Sequence, residues 1–99
     1  MKRSPALEKL RQHRAALERA GARALYLFGS VARDEADEAS DVDLLVDPAS
    51  ETFTIFDMIR LQDACSEVLG AQAEVHDYQG YERLAQFRDQ VEKDIVRVF

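Results

Sequence analysis

The stretch LFGSVARDEADEASDVDLLVD (residues 27–47) joins two short apolar runs through an acidic connection. The first run, ALYLF (24–28), ends at a Gly-Ser step, and the second, VDLLVD (42–47), is closed by Pro48. Short, nearly continuous apolar runs bounded by turn residues are typical of strands buried in the centre of a sheet. The stretch therefore predicts two central strands, with six acidic residues in the connection and at the mouth of the second strand.

Helical patterns flank these strands. The pair Ser4-Pro5 is typical of a helix start, and apolar residues at three- and four-residue steps then predict an amphipathic helix that ends at Gly21. Ser50 is expected to cap a second long helix over residues 51–69, which Gly70 ends. The expected core stripe of this helix comprises Phe53, Phe56, Ile59, Ala64, Val68 and Leu69.

The C-terminal third contains a further strand and a further helix. AEVHDY (73–78) is the third and weakest candidate strand. From Tyr81 to Phe99, apolar residues repeat at helical spacing and predict a helix that reaches the C-terminus: Leu84, Phe87, Val91, Ile95 and Val98. This order of elements predicts an α/β fold with a small sheet of three or so strands flanked by helices.

Composition narrows the class of protein. Ninety-nine residues predict a single domain spanning 1–99, and the net charge of −6 argues against general binding to nucleic acid or to anionic membranes. No apolar run approaches the ~18 residues of a membrane span, so we expect a cytoplasmic protein. Because Cys65 is the only cysteine, we expect neither a disulfide framework nor a Cys-based zinc site, and Cys65 is expected to be a packing residue.

Asp41 and Asp43 open the second strand. Alternation along a strand places both carboxylates on one face, with Cα atoms roughly 6.5 Å apart, while Leu44, Leu45 and Val46 continue into the core. Two fixed carboxylates repel each other unless a cation lies between them. The pair therefore predicts a divalent-metal site, although a solvated acidic loop is the alternative explanation.

The Gly29-Ser30 step supplies a complementary feature. Gly29 allows backbone to approach a ligand closely, and Ser30 is expected to cap a short helix over residues 31–36 and to form an anion cradle. Arg33 is a candidate phosphate or partner contact, with a solvated helix residue as the alternative. A phosphate cradle beside a metal site is what phosphoryl or nucleotidyl transfer requires.

The spacing of these residues resembles a known signature. Gly29-Ser30, ten residues and then Asp41-Val42-Asp43 are similar to the G-S-x(10)-D-x-D pattern of the nucleotidyltransferase superfamily, which includes DNA polymerase β. More closely, the stretch resembles minimal nucleotidyltransferases (MNT), which typically read F-G-S-x-A-R-G-E-A and then S-D-I-D-L-L-V. The matching residues are Phe28, Gly29, Ser30, Ala32, Arg33, Glu35, Ala36, Ser40, Asp41, Asp43, Leu44, Leu45 and Val46.

This resemblance implies a mixed sheet with helices packed against it. It also implies ATP as the nucleotide donor, two Mg²⁺ ions between Asp41, Asp43 and the triphosphate, and Ser30 as a phosphate contact. A third carboxylate on a later strand completes such a site as a metal ligand or base. Glu74 stands at the matching position, and alternation favours it over Asp77, which faces the other side of a regular strand. His76 shares the face of Glu74 and either borders the site or is a structural histidine.

The sequence departs from the family pattern at several acidic positions. Glu74 stands where the family usually has Asp, and its longer arm can misplace a base that must act within about 3 Å of its proton. Asp34 replaces the usual glycine, and Asp37 and Glu38 add charge near the expected triphosphate path. If these three side chains face the cleft, ATP binding depends more strongly on Mg²⁺.

The short chain leaves no residues for a separate acceptor-binding domain, so we expect another molecule to present the acceptor. Resemblance to MNT antitoxins implies a partner HEPN toxin in a hetero-oligomer and transfer of AMP from ATP to a tyrosine of that toxin. From the net charge, neither nucleic acid nor a membrane is expected as a direct partner. A catalytically silent antitoxin that acts by binding is the main alternative. A small-molecule nucleotidyltransferase with a separate helical subunit is a third hypothesis.

Overall fold

The computed structural model describes residues 1–78, 89 and 91–99. The predicted start of the last helix at Tyr81, together with Leu84 and Phe87, lies outside the described residues. The elements whose bounds are described are, in chain order, α1 (Arg3–Gln12), α2 (Arg14–Arg19), β1 (Ala22–Phe28), α3 (Gly29–Ala32), β2 (Val42–Pro48), α4 (Ile55–Leu69), β3 (Ala73–Asp77) and β4 (Val96–Arg97).

The four strands form one mixed sheet in the order β3-β2-β1-β4. Strand β1 pairs antiparallel with both β2 and β4, whereas β2 and β3 run parallel because α4 crosses between them. The predicted α/β fold with a small mixed sheet flanked by helices is therefore confirmed.

The prediction of a helix that reaches Phe99 is wrong. The chain turns at residues 93–94 and enters β4, and the Val98 N–H then donates to the Leu25 carbonyl at 2.8 Å. Val98 and Phe99 are buried in the core. A spacing of three or four residues between apolar side chains fits one long helix, but it also fits a short helix followed by a strand of β-branched residues. The edge of β1, which offers hydrogen-bond partners to β4, favours the strand.

The two faces of the sheet differ in what covers them. Alternating residues of β1, β2 and β3 pack with α1 and α4 in the main core, whose largest members include Leu10, Leu17, Leu25, Leu27, Leu44, Val46, Leu61 and Leu69. Cys65 belongs to this core as predicted, and its burial raises the pKa of the thiol to about 12. On the other face, Phe28, Leu45 and Val91 form a smaller cluster beside the polar site described below.

The helices begin at residues other than those predicted. The first helix is interrupted at His13, and it starts at Arg3 rather than after a Ser4 cap. Helix α4 is capped by Thr54 rather than Ser50, while Gly70 ends it in the left-handed conformation as expected. No helix among the described residues is both long and apolar enough to cross a membrane.

The predicted core stripe of α4 is wrong at its first turns. Phe56 is 72% exposed and Ile59 is 49% exposed, and the adjacent Ile55 is 68% exposed. The buried residues of α4 are Leu61, Cys65 and Leu69. The helix also begins four residues later than predicted, at Ile55, and its buried side chains all lie in its later turns.

Thr54→Ala is expected to lower the free energy of unfolding by about 1 kcal/mol, because Thr54 and Asp57 form a reciprocal capping box. Thr54 Oγ1 accepts from the Asp57 N–H, and Asp57 Oδ2 accepts from the Thr54 N–H at 2.8 Å. Ser50→Ala is the matched control, because Ser50 only bridges to Thr52 within its own turn. Urea denaturation of both variants measures the difference, and an equal loss for Ser50→Ala would contradict the assignment of the cap.

The same cap has a pH signature. Hydrogen bonds from the backbone and side chain of Thr54 lower the pKa of Asp57. The stabilisation from Asp57 is therefore present above its unfolded pKa and is lost as the pH falls through its folded pKa. Thr54→Ala removes part of this pH dependence, so wild type and variant converge in stability on acidification.

Candidate active site

Strand register brings residues of three strands together on the sheet face opposite α4. Asp43 lies between Phe28 of β1 and Glu74 of β3, and the next row consists of Tyr26, Leu45 and His76. Paired residues of neighbouring strands point to the same side of a sheet. The register therefore places Asp43, Glu74 and His76 on one face, at the end of β1 where Gly29 begins α3.

Asp43, Glu74 and His76 form a group of potential metal donors. One donor atom from each lies within 4.8 Å of the other two, and the His76 Nε2 atom is 3.7 Å from Glu74 Oε1. The His76 ring also contacts the Phe28 ring, with centroids 5.5 Å apart. Two carboxylates and an imidazole with converging donors suit a divalent cation.

Electrostatics at Asp43 also favour a cation. Burial raises the pKa of the half-buried Asp43 carboxyl, and the neighbouring charges of Glu74 and then Asp41 raise the pKa further. His76 and Arg33 act in the opposite direction. Ionised Asp43 is therefore poorly compensated by the protein itself, and a bound cation would offset the repulsion.

Gly29 permits the close approach of Asp43 to the β1–α3 turn. Gly29 has φ = 77°, a conformation that L side chains rarely adopt. A Cβ atom at this position would clash with the Asp43 carboxylate, lying 3.2 Å from Cγ and even closer to Oδ2. The structure thus shows Gly29 in close approach to the side chain of Asp43, and its predicted approach to a ligand remains a prediction.

Ser30 lies within α3 rather than before it. The helix comprises Gly29–Ala32 with Phe28 at its N-cap, so the predicted helix over 31–36 with Ser30 as cap is wrong. The positive φ of Gly29 lets the chain enter the helix directly from β1. Among the hydrogen bonds between described residues, none engages the Ser30 hydroxyl, and the first N–H groups of a helix have no intrahelical acceptor. The predicted phosphate role of Ser30 remains a prediction.

Arg33 is engaged with carboxylates in the structure. Its guanidinium donates to Asp94 at 2.7 Å and to Glu35 at 3.0 Å, and hydrogen bonds to Asp94 and then Glu35 raise the pKa of Arg33. These contacts join the end of α3 to the segment before β4. These bonds use two of the five N–H donors of the guanidinium, and the predicted role of Arg33 in phosphate binding remains a prediction.

Two acids of the 34–38 segment, Asp34 and Asp37, accept hydrogen bonds from backbone N–H groups. Asp34 has φ = 58°, which explains why glycine suits this position, and its carboxylate accepts from the Arg3 N–H of α1 at 2.6 Å. Asp37 Oδ1 accepts from the Ala39 N–H at 2.9 Å and closes its own loop. Both side chains therefore satisfy backbone N–H groups, whereas the exposed Glu38 has no described hydrogen bond.

The remaining acidic candidates lie outside the donor group. Asp41 is exposed just before β2 and is not part of the group formed by the described residues. Asp77 also lies outside it, so Glu74 is the acid of β3 that joins Asp43, as alternation predicts. The sequence placed His76 only at the border; its spacing of two residues from Glu74 was the available signal.

Comparison with known proteins is consistent with this geometry. The family described as "Polymerase beta, Nucleotidyltransferase" matches residues 12–99. A Methanocaldococcus jannaschii protein, provisionally named a protein adenylyltransferase, is 40% identical over 58 residues. That match covers 59% of this chain, and the chain spans only 61% of the length of the relative.

Solved structures show the same fold. A structure provisionally described as a minimal nucleotidyltransferase has a TM-score of 0.72 and 37% identity, and the match covers 97% of this chain and 95% of the other. A chain from the complex of a tri-AMPylated Shewanella oneidensis HEPN toxin with its MNT antitoxin has a TM-score of 0.65 and 17% identity. That match covers 94% of this chain and 71% of the other, and it shows similarity of fold alone.

Proposed function

The chain belongs to the polymerase beta nucleotidyltransferase family, and from this membership we propose that it is a protein adenylyltransferase antitoxin. It transfers AMP from ATP to a tyrosine hydroxyl of a partner HEPN toxin. The observation that carries the proposal is the convergence of Asp43 and Glu74 beside the Gly29 turn. The name of the M. jannaschii relative supports protein as the acceptor, and the fold shared with the S. oneidensis complex supports an MNT/HEPN partnership.

In this function, Asp43 and Glu74 hold Mg²⁺ with Asp41, which lies near enough to raise the pKa of Asp43. Two such ions, when bound, neutralise the triphosphate and align it for in-line attack. The donor set fits this role because Asp43 is half-buried on a central strand, so its position is fixed by the sheet. Asp41 precedes the strand and is more exposed, so it can adjust to the nucleotide.

The turn at Gly29-Ser30 contacts the phosphates. Gly29 leaves space for the Asp43 carboxylate, and the Ser30 hydroxyl and the first N–H groups of α3 supply donors for anionic oxygens. The metal-binding carboxylate of Asp43 and the phosphate-binding turn at Gly29-Ser30 are adjacent because Gly29 lies against the Asp43 side chain. This adjacency follows from the pairing of Phe28 with Asp43.

Glu74 also accepts the proton of the acceptor tyrosine. The new bond forms between the tyrosine oxygen and the α-phosphorus, the bond to the β-phosphate oxygen breaks, and pyrophosphate leaves. The exposed carboxylate of Glu74 is accessible to a docked protein, and a base must reach within about 3 Å of the proton that it removes. Because Glu74 is the register partner of Asp43 and its side chain is exposed, it is accessible both to the metal site and to an incoming acceptor.

Incubation with ATP, Mg²⁺ and the product of the neighbouring gene, which we expect to be the HEPN toxin, is expected to label that product from α-labelled ATP but not from γ-labelled ATP. This difference identifies transfer of AMP rather than of phosphate. Replacement of the acceptor tyrosine of the toxin by Phe should remove the label. Scintillation counting and intact mass measure the reaction, and absence of α-label on the wild-type toxin at saturating ATP would refute the proposal.

A catalytically silent antitoxin is the second candidate function. Exposure of Glu74 and the position of Asp41 outside the donor group favour it, and the exposed Ile55 and Phe56 offer an apolar contact surface. Under this alternative, neutralisation of the toxin proceeds without ATP and is unchanged in Asp43→Asn. Under the first proposal, neutralisation requires ATP and is lost in that variant.

A further inference from the structure

The structure brings an imidazole to the carboxylates of the candidate active site. We propose that His76 is a metal ligand, and that with Asp43 and Glu74 it makes a site which prefers a divalent first-row transition ion to Mg²⁺. This inference deepens the proposed function and rests on it in one respect: Asp43 and Glu74 must hold a cation. The nature of that cation and the role of His76 go beyond it.

The backbone positions all three ligands. Glu74 and His76 are two residues apart on β3 and therefore share a face, and Asp43 is the register partner of Glu74 on β2. Two donors that each lie about 2.1 Å from one ion are roughly 3.0–3.4 Å apart in octahedral or tetrahedral geometry. The Nε2 and Oε1 atoms, at 3.7 Å, need only a small contraction to reach that separation.

The orientation of the His76 ring is constrained. Its ring lies against that of Phe28 with an interplanar angle of 57°, and the side chain is two-thirds buried. An ion pair between His76 and Glu74 would compensate only one of the two carboxylates of the group. His76 and Arg33 offset only part of the burial and repulsion that raise the pKa of Asp43, whereas a divalent ion compensates both carboxylates and uses the imidazole lone pair.

Ligand chemistry determines the preference. Mg²⁺ favours an all-oxygen shell and retains several waters, whereas imidazole nitrogen is a good ligand for ions such as Co²⁺ and Zn²⁺. One nitrogen and two carboxylates therefore raise affinity for transition ions more than for Mg²⁺. A site with only Asp or Glu ligands would discriminate less strongly between these ions and Mg²⁺.

Co²⁺ titration followed by ¹H NMR tests the inference directly, because the chain contains only two histidines. The ring protons of His76 are expected to show large paramagnetic shifts or broadening at one equivalent of Co²⁺. His13 serves as the internal control, because it is exposed at the junction of α1 and α2 with Nδ1 2.9 Å from the Lys9 carbonyl oxygen. Unperturbed His76 protons in a Co²⁺-saturated protein would overturn the inference, and this readout needs no variant.

Calorimetric titrations of variants measure the preference. His76→Phe retains an aromatic ring beside Phe28 but lacks the nitrogen ligand, so Co²⁺ affinity should fall about 10-fold or more while Mg²⁺ affinity changes less than about 2-fold. His13→Phe is the matched control and should leave both affinities unchanged.

Asp43→Asn separates this inference from the proposed function. If Asp43→Asn loses metal binding but His76→Phe binds Co²⁺ like wild type, the role of His76 as a ligand is refuted while the metal site itself stands. Wild-type binding of both ions in Asp43→Asn would also refute the metal site on which AMP transfer depends. Equal loss of Co²⁺ and Mg²⁺ affinity in His76→Phe would exclude the predicted selectivity.

Discussion

Asp43→Asn is expected to reduce AMP transfer at least about 100-fold and, at neutral pH, to increase thermal stability. We expect the loss of activity because Asp43 is the central carboxylate of the site. Even the removal of a group that only supports a metal ligand lowers metal affinity or activity roughly 10- to 100-fold. The stability gain follows because burial and the charge of Glu74 raise the pKa of Asp43, so the ionised carboxylate destabilises the folded state. Labelled-ATP transfer and differential scanning calorimetry measure the two effects.

The gain in stability should depend on pH. A carboxyl group whose folded pKa is raised destabilises the protein above that pKa and has no such effect below its ordinary unfolded pKa. At pH values above the folded pKa of Asp43, the Tm of Asp43→Asn should therefore be about a few degrees higher than that of wild type. The two proteins should converge as the pH falls toward the ordinary range of an aspartic acid.

Asp47→Asn provides the matched control on the same strand. Asp47 lies at the opposite end of β2, where its carboxylate accepts from the exposed Arg23 at 2.7 Å. Loss of this surface ion pair costs no more than about 1 kcal/mol, and AMP transfer should remain at the wild-type rate. Equal loss of transfer in both variants would argue against a special role of Asp43. A decrease in Tm for Asp43→Asn would contradict the repulsion inferred at the site.

Gly29→Ala is expected to lower the free energy of unfolding by roughly 2–4 kcal/mol and to reduce AMP transfer at least about 10-fold. The left-handed backbone is strained for alanine, and the added methyl group also meets the Asp43 carboxylate. The carboxylate must then shift from its present position relative to Glu74 and His76. Urea denaturation and labelled-ATP transfer measure the two losses.

Gly70→Ala distinguishes the two causes. Gly70 has φ = 67°, close to the 77° of Gly29, but a Cβ at Gly70 has no atom within 4 Å. In Gly70→Ala the backbone strain alone should lower the free energy of unfolding, by about 1–2 kcal/mol, and AMP transfer should stay at the wild-type rate. If Gly29→Ala also retained activity, contact between the turn and Asp43 would be irrelevant to catalysis.

Several parts of the molecule could be predicted from the sequence. The apolar runs around Leu27 and Leu44 and the turn residues that follow them predict β1 and β2 because these signals are local. Gly70 likewise marks the end of α4. Alternation on β3 predicts that Glu74, rather than Asp77, faces Asp43, provided that the strand pairs in a regular register.

Other parts depended on distant contacts. Val96–Arg97 form a strand because the edge of β1 offers hydrogen-bond partners that no local pattern reveals. The sequence left open whether Asp34 faces solvent or the cleft, and the structure shows its carboxylate accepting from the Arg3 N–H, 31 residues away. In both cases backbone N–H and C=O groups need hydrogen-bond partners, and the tertiary structure decides which partners lie within reach.

The sequence by itself determined the class of fold, the central strands and the acids that those strands carry, because periodicity and turn chemistry act over a few residues. Only the tertiary structure decided that His76 joins Asp43 and Glu74, that Asp41 stays outside their group and that Arg33 pairs with Asp94. The physical reason is register: the pairing of β3 with β2 sets which side chains meet, and a shift by one residue would turn Glu74 and His76 to the opposite face.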